Sequence, residues 1–286
     1  MEKIKIGVIG GTGLYEIEGF ENKVELDINT PFGKPSDKII VGDLCGRKIA
    51  FLPRHGKGHR ILPSELPQRA NIWALKSLGV EYIIASTAVG SLKKEIVPTH
   101  IVIPDQVIDK TKRRVNTFFG NGLVAHVSMA DPFCNNLRDI IYTAAKKVDC
   151  TVHFGGTYVC MEGPNFSTRA ESNLHRSWGA SVIGMTALPE AQLAREAEIC
   201  YASMSLATDY DCWHEEEDDV TSDAVMKIVQ QNSETAKKIL KEILPLIPEE
   251  RNCACSNVLS YSLVTERKLV PEKTYENLKL LVGKYM

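Results

Sequence analysis

Asp209 and Asp211 flank Tyr210 at the end of an apolar run, Tyr201 to Ala207, that passes into Thr208. In an extended chain residues i and i+2 point the same way, so both carboxyls can face one pocket. Such a pair suits general acid–base work or the reading of a base edge rich in donors. It also suits glycoside hydrolysis, although carboxyls this close in sequence are poorly placed to flank a scissile bond from two sides. A second set is Arg54-His55, at the head of the basic, glycine-loosened loop Arg54-His55-Gly56-Lys57-Gly58-His59-Arg60. A guanidinium fork grips phosphate oxygens bidentately, and an imidazole can add one more donor. The alternative for Arg54 is a structural ion pair; the neighbouring glycine turn favours the ligand role. That turn is Gly10-Gly11-Thr12-Gly13. Glycines bring backbone N–H groups close to an anion, and Thr12 adds a hydroxyl. It fits neither G-x-G-x-x-G nor a Walker-type loop.

Other chemistries find less support. His55 and His59 are four apart, but Gly56 and Gly58 disfavour a helix there and H-E-x-x-H is absent, so no metal is expected. His100, His153, His175 and His214 read as structural. There is no G-x-S-x-G elbow and no cysteine with a triad signature. Of eight cysteines, most sit in apolar stretches as small hydrophobes. Cys253-Ala254-Cys255 lacks the second pair a zinc site needs, and disulfides are the alternative if the source is a hyperthermophile.

The elements that must position these residues begin with Ile4 to Ile9, a β-branched run suited to a buried parallel strand. Four later runs also pass into small polar residues: Ile49–Leu52 into Pro53-Arg54-His55-Gly56, Tyr82–Ala85 into Ser86 to Ser91, Ser181–Gly184 into Met185-Thr186, and Tyr201–Ala207 into Thr208 to Asp211. Ligands collect at the carboxyl ends of strands in open α/β sheets, so five such ends imply one composite site. Strands alternating with helices predict a three-layer α/β single domain over 1–286 with a mixed central sheet, and a C-terminal extension from about 250. A helix is expected from Pro63 to about Leu78 with Ser64 as N-cap, and a strand over Ile101–Ile108, interrupted by Pro104 and near an edge. Lys112-Arg113-Arg114 reads as a solvated loop. Helices are also expected over 137–148, from about Ala170, from Pro189, over Val225–Ile243 behind the acidic prelude 215–219, and at 275–282, the last docking on this subunit or a neighbour.

At 286 residues, with 44% hydrophobic and 24% charged residues and a net charge of −2, the chain reads as an ordinary globular protein and not a general nucleic-acid binder. It begins directly in a strand and has no apolar run of membrane-spanning length, so a cytoplasmic location with no membrane partner is expected.

The motifs together resemble the methylthioadenosine phosphorylases of the trimeric purine nucleoside phosphorylase superfamily. The resemblance rests on Gly10-Gly11-Thr12-Gly13-Leu14, Arg54-His55-Gly56, Ala70-Asn71-Ile72-Trp73-Ala74-Leu75, Thr87-Ala88 with Gly90-Ser91, Asp131-Pro132-Phe133-Cys134, Glu162-Gly163-Pro164, Phe166-Ser167, Met185-Thr186 and Thr208-Asp209-Tyr210-Asp211-Cys212-Trp213, in family order. It implies reversible phosphorolysis of a purine nucleoside, with inorganic phosphate as co-substrate and no cofactor, in a homotrimer or dimer of trimers. Thr12, Arg54, His55, Thr87, Ala88 and Thr186 would then hold phosphate. Met185 would lie against the ribose and Phe166 against the purine. Asp209 would protonate purine N7, Asp211 would accept from a 6-amino group, and Tyr210 between them belongs to the same substrate-binding set. His59, Val220 and Val225 would border the methylthio end, with His126 reaching in from the next subunit. Ser167 and Ser222 would bear on specificity, Ser222 standing where animal members have an apolar residue. A broader 6-oxopurine or adenosine phosphorylase, a hydrolytic nucleosidase and a non-catalytic purine-binding module are the alternatives.

Overall fold

The stretch Ile6–Gly10, I-G-V-I-G, is buried along its whole length, because strands cover both its edges and helices both its faces. This is β1. Alternation sends Ile6 and Val8 into one core and Ile9 into the other. The computed structural model describes residues 3–11, 14, 16–214 and 222–286; for 222–226 it describes the helical backbone alone.

After β1 come β2 (Glu21–Leu26), β3 (Ile39–Leu44), β4 (Arg47–Pro53), β5 (Tyr82–Ser91), β6 (Ile101–Ile103), β7 (Gln106–Lys110), β8 (Val152–Phe154), β9 (Thr157–Met161), β10 (Val182–Gly184) and β11 (Cys200–Asp209). They form one mixed sheet in the order β2-β3-β4-β1-β5-β10-β9-β7, with β11 on the other edge of β5, followed by β6 and β8. One face carries α1 (Gln68–Ser77), α4 (Ala187–Glu196) and α6 (Glu272–Val282), which bury Ile72, Leu193 and Leu281 in one core. The other carries α2 (Asn135–Ala145) and α5 (Ser222–Ile243), which bury Leu137, Ile141, Ile239 and Leu240 in a second. Full burial of each such side chain contributes about 1.5–3 kcal/mol. The fold is thus the expected α/β layering around a mixed sheet. The last helix docks on this chain through Leu278, Leu281 and Val282.

The central strand β5 is where the sheet divides. β1 pairs with it in parallel as far as Ile9↔Ala85, and β10 pairs with the same edge, antiparallel, from Ile183↔Gly90. Gly90 pairs with Asp209 of β11 across the opposite edge. Between Ala85 and Gly90, therefore, one edge of β5 has no strand partner among the described residues.

Two local expectations need correction. The helix expected from Pro63 is a 3-10 turn, Pro63–Glu65, followed by α1 with Pro67 at its N-cap and no cap from Ser64. Pro67 lacks an N–H and pushes Leu66 to an extended conformation (φ −56°, ψ 126°), so one helix cannot run through. The 101–108 strand splits at Pro104 into β6, inside the sheet, and β7, at its edge. Strands β8 and β9, joined through Gly155 and Gly156 at φ +99° and +112°, had no counterpart in the sequence reading.

Candidate active site

The gap beside β5 gathers the ends of five elements. β1 ends at Gly10 and β4 at Pro53, directly before Arg54; Thr87 and Ala88 lie in the unpaired stretch of β5; Met185 and Thr186 follow β10; Asp209 ends β11. Ala88 is exposed although it sits in the sheet's central strand, which marks the gap as open space. A Cβ on Gly10 would stand 2.7 Å from Leu14 and 3.3 Å from Phe51, so this glycine answers to packing; Gly11 faces open space. Thr12 and Val220 lie outside the described residues, as do the side chains of Ser222 and Val225 and the acidic prelude 215–219.

Arg54 is brought to the gap, with much of its bonding met inside the chain. Its side chain is buried, its Nε and Nη2 donate to the two carboxylate oxygens of Glu190 at 2.8 and 2.9 Å, and Nη1 donates to the Ser86 carbonyl at 2.8 Å. Tyr201 Oη donates to the same Glu190 at 2.8 Å. One edge of the guanidinium is thus engaged by a carboxylate within the chain, the geometry of the ion-pair alternative. The second Nη2 N–H points at the Ile9 carbonyl from 3.5 Å, which leaves one N–H on Nη1 for an anion.

His55 is likewise bonded within the chain. Its Nδ1 lies 2.8 Å from the Ile61 carbonyl, and its ring stacks on His59 at 4.2 Å between centroids. Burial, reinforced by the nearby charges of Arg54, His59 and Arg114, pushes its pKa down to about 4. A carbonyl can only accept, so Nδ1 carries the proton and Nε2 presents a lone pair. In the neutral imidazole Nε2 is thus an acceptor. Burial lowers the His59 pKa as well, at a residue held at φ +53°.

The carboxyl pair converges, but not by strand alternation. Asp209 ends β11 after a register shift, and Asp211 sits one turn beyond at φ +53°. Both pack on Gly90, where a Cβ would stand 2.9 Å from Asp209 Oδ1 and 3.3 Å from Asp211 Cβ. Thr208 Oγ1 donates to Asp209 Oδ2 at 2.6 Å, and the Asp211 N–H donates to Oδ1 at 2.8 Å. Burial outweighs these bonds and, with the Asp211 charge adding to it, pushes the Asp209 pKa up to about 6. Burial also raises the Asp211 pKa, against the opposing hydroxyls of Ser172 and Ser167. Asp211 Oδ2 is buried with no hydrogen-bond partner.

The other candidates fall at varying distances from this centre. Thr87 is buried, its hydroxyl among those of Ser203 and Ser205. Thr186 stands at the N-cap of α4 without making a capping bond, which leaves its hydroxyl uncommitted to the helix. Met185 packs its sulfur against Gly163, at φ +68°, where a Cβ would stand 2.5 Å away. Phe166 is 55% exposed, Ser167 accepts from Cys212 through its carbonyl, and the Tyr210 ring stacks on His214 at 4.8 Å. His126 is exposed, and its described bond is a backbone one, to the Ser262 carbonyl, so within one chain it is not brought to the gap.

A family model described as the phosphorylase superfamily matches residues 5–245. The chain belongs to the phosphorylase superfamily. It is similar to the S-methyl-5'-thioadenosine phosphorylase of Geobacter sulfurreducens, with 56% identity over 287 residues that cover 100% of both chains. Among solved structures it is similar to a methylthioadenosine phosphorylase from an Antarctic soil metagenomic library, with TM-score 0.94, 48% identity and coverage of 98% and 99% of the two chains. It is also similar to the methylthioadenosine phosphorylase of Schistosoma mansoni in complex with adenine, with TM-score 0.83, 38% identity and 98% of each chain covered.

Two residues of this phosphorylase escaped sequence reasoning. Glu190 is fully buried in α4, where Arg54, 136 residues away, and the Tyr201 hydroxyl explain it. Arg114, expected in a solvated loop, is 3% exposed and donates to the carbonyls of Met185, Leu188, Met161 and Glu162. It thereby ties the backbone just before Gly163 to that at and after Met185. A basic triplet carries no signal for which of its members turns inward.

Proposed function

We propose that this phosphorylase takes S-methyl-5'-thioadenosine and phosphate reversibly to adenine and 5-methylthioribose-1-phosphate. The observation that carries the reading is the carboxyl pair at the end of β11: one acid raised to about 6 beside a second with a buried, unpartnered oxygen. Adenine leaves poorly as an anion. A carboxylic acid at N7 removes that cost, and one near pH 6 still carries a useful protonated fraction near neutrality. An acceptor that has no partner of its own favours a 6-amino purine, whose N–H would satisfy it, over a 6-oxo purine, which would leave it unpaired.

In this reading a phosphate oxygen forms the new bond to C1′ as the C1′–N9 bond breaks. The electron pair goes to the purine, Asp209 gives its proton to N7, and the proton lost by phosphate balances the one gained by adenine. Phosphate would lie in the gap beside β5, near Thr87, Ala88, Thr186 and the last N–H of Arg54, with Thr12 adding a hydroxyl. His55, as an acceptor, suits the P–O–H of hydrogen phosphate. Positive charge developing on the ribosyl is stabilised by the phosphate itself. Met185, Phe166 and Tyr210 would line the nucleoside, His59, Val220 and Val225 the methylthio end, and Ser167 and Ser222 would bear on its selectivity.

The reading includes a cytoplasmic enzyme that needs no cofactor and works as a homotrimer or a dimer of trimers, in which His126 of one subunit completes the pocket of the next. Among the described residues no helix is long and apolar enough to cross a membrane. The test is base release from methylthioadenosine, adenosine and inosine, each with and without phosphate. Phosphate-dependent release of adenine, fastest from methylthioadenosine, is expected. Release without phosphate, or preference for inosine, would overturn the reading.

A further inference from the structure

The C-x-C of the tail does not stand alone. The fold brings Cys134, Cys200, Cys253 and Cys255 together, so that their four Sγ atoms all lie within 4.8 Å of one another. The pair missing from the sequence around Cys253 comes from two distant places, the N-cap of α2 (Cys134) and the first residue of β11 (Cys200). Cys253 is extended (φ −152°, ψ 160°) and leads into the 3-10 segment Ala254–Tyr261, which carries Cys255. Three of the four are buried and Cys253 is partly so.

We propose that these four cysteines hold a structural Zn2+ ion as a tetrathiolate site. Zinc takes four sulfurs tetrahedrally at about 2.3 Å, which sets the sulfurs about 3.8 Å apart along every edge. Four sulfurs that all lie within 4.8 Å of one another can close to that figure around an ion. Two separate disulfides would give two close pairs instead, each at about 2.05 Å, whereas the Cys200 and Cys253 sulfurs are 3.2 Å apart.

The surroundings suit the charge such a site carries. Four thiolates and Zn2+ sum to −2. Arg195 Nη1 points at Cys255 Sγ from 3.7 Å, and the N-terminus of the 11-residue α2, where Cys134 makes no capping bond of its own, favours negative charge. The hydroxyl of Tyr82, buried beside Cys200 and Cys253, has no hydrogen-bond partner and is a ready donor to a metal-bound sulfur. Binding releases the thiol protons, so the ion stabilises only the folded arrangement that collects the ligands.

The site would staple the tail to the body. Beyond it the tail bridges Leu263 to Ala125, accepts the His126 N–H at Ser262 and donates from Val264 to Val124, so it holds the segment that carries His126. The ion thus secures a wall of the molecule well away from the carboxyl pair.

The test begins with the full-length protein, made in zinc-containing medium and purified with a phosphine reductant and no chelator. Elemental analysis should give one zinc per chain. Exchange with Co2+ should produce the sulfur-to-cobalt charge-transfer and intense d–d bands of a tetrahedral thiolate site. A strong chelator should lower Tm by roughly 5 °C or more, and added zinc should restore it. Cys253→Ser and Cys200→Ala should each abolish the cobalt spectrum. Metal-free protein would overturn the proposal, whether its intact mass is two or four hydrogens light, as disulfides require, or all four thiols alkylate. These readouts on the wild-type chain stand even if a variant fails to fold.

Discussion

Two buried polar groups lie along β5, one bonded to Ser86 and the other packed on Gly90, and they are built in opposite ways. Around Arg54 the bonding is nearly closed: Glu190 takes two of its donors, the Ser86 carbonyl a third, and Tyr201 completes Glu190. Around Asp209 and Asp211 it is less closed: two acids share the wall over Gly90, one pushed up to about 6, the other with a buried oxygen that has no hydrogen-bond partner. A satisfied buried pair fixes positions, whereas an unsatisfied one stores free energy that a ligand can release. The difference assigns the first to holding strand ends β1, β4 and β5 in place and the second to chemistry.

The largest effect expected from breaking this comparison is at Asp209. Asp209→Asn removes the acid and should lower kcat with methylthioadenosine by about 10²–10⁴-fold, measured as adenine release under saturating phosphate. The same variant should be more stable than wild type near neutrality. A native carboxyl pKa of about 6, against 3.8 for the free group, means that the folded state holds the proton more tightly than the unfolded one. The stability this contributes is complete below about pH 4 and is lost as pH rises through 6. Removing the group should therefore stabilise by roughly 3 kcal/mol at pH 7.5 and by little at pH 4. Urea titrations at the two pH values check the sign, and a variant less stable at pH 7.5 would show that the carboxyl is not strained.

At the closed pair the effect should fall on stability. Glu190→Gln leaves the Arg54 charge buried without its counterion and should cost about 3–5 kcal/mol, whereas Arg54→Met with Glu190→Leu should recover much of it. Thermal melts of the single and double variants decide this. If the single variant keeps full stability and loses only phosphate affinity, Arg54 is a clamp after all. Asp211→Asn should act on selectivity. An amide can donate to a 6-oxo group, so the preference for adenosine over inosine in kcat/KM should fall by about 10²-fold with little loss of stability.

The sequence made the gap legible because each strand end announces itself locally: an apolar run, then glycine, threonine, arginine or aspartate. Ile4 to Ile9 and Tyr201 to Ala207 read as strands, and the residues after them do converge on β5. What stayed hidden depends on partners distant in sequence. Nothing near Glu190 announces Arg54, and nothing near Cys253 announces Cys134 and Cys200, because contacts across 50 to 140 residues are set by sheet order. Backbone detail was hidden for another reason. The reading of Asp209 and Asp211 assumed a straight strand, while the chain bulges between Ala207 and Asp209 and turns at Asp211. The carboxyls still meet, by a route that period-2 reasoning does not contain.

The smallest effect should come from a polar group that is satisfied but exposed. Thr168 caps α3 (Arg169–Ser177), accepting the Glu171 N–H at 3.2 Å while the Glu171 carboxylate accepts the Thr168 N–H at 2.8 Å. Glu171 is held below its ordinary pKa by these bonds, foremost the one from the Thr168 backbone. Unlike Glu190, it can turn to water when its partner is removed, so no buried charge is stranded. Thr168→Ala should cost about 1 kcal/mol and lower Tm by about 2–4 °C. The helix carries Ser172, one of the hydroxyls that oppose the rise in the Asp211 pKa, so a frayed α3 would also disturb base selection. If the cap is only a local device, the adenosine-to-inosine ratio should stay within about twofold of wild type. A larger change in that ratio would mean that the open pair at Asp209 and Asp211 is propped by α3, and that its strain is maintained from outside the gap.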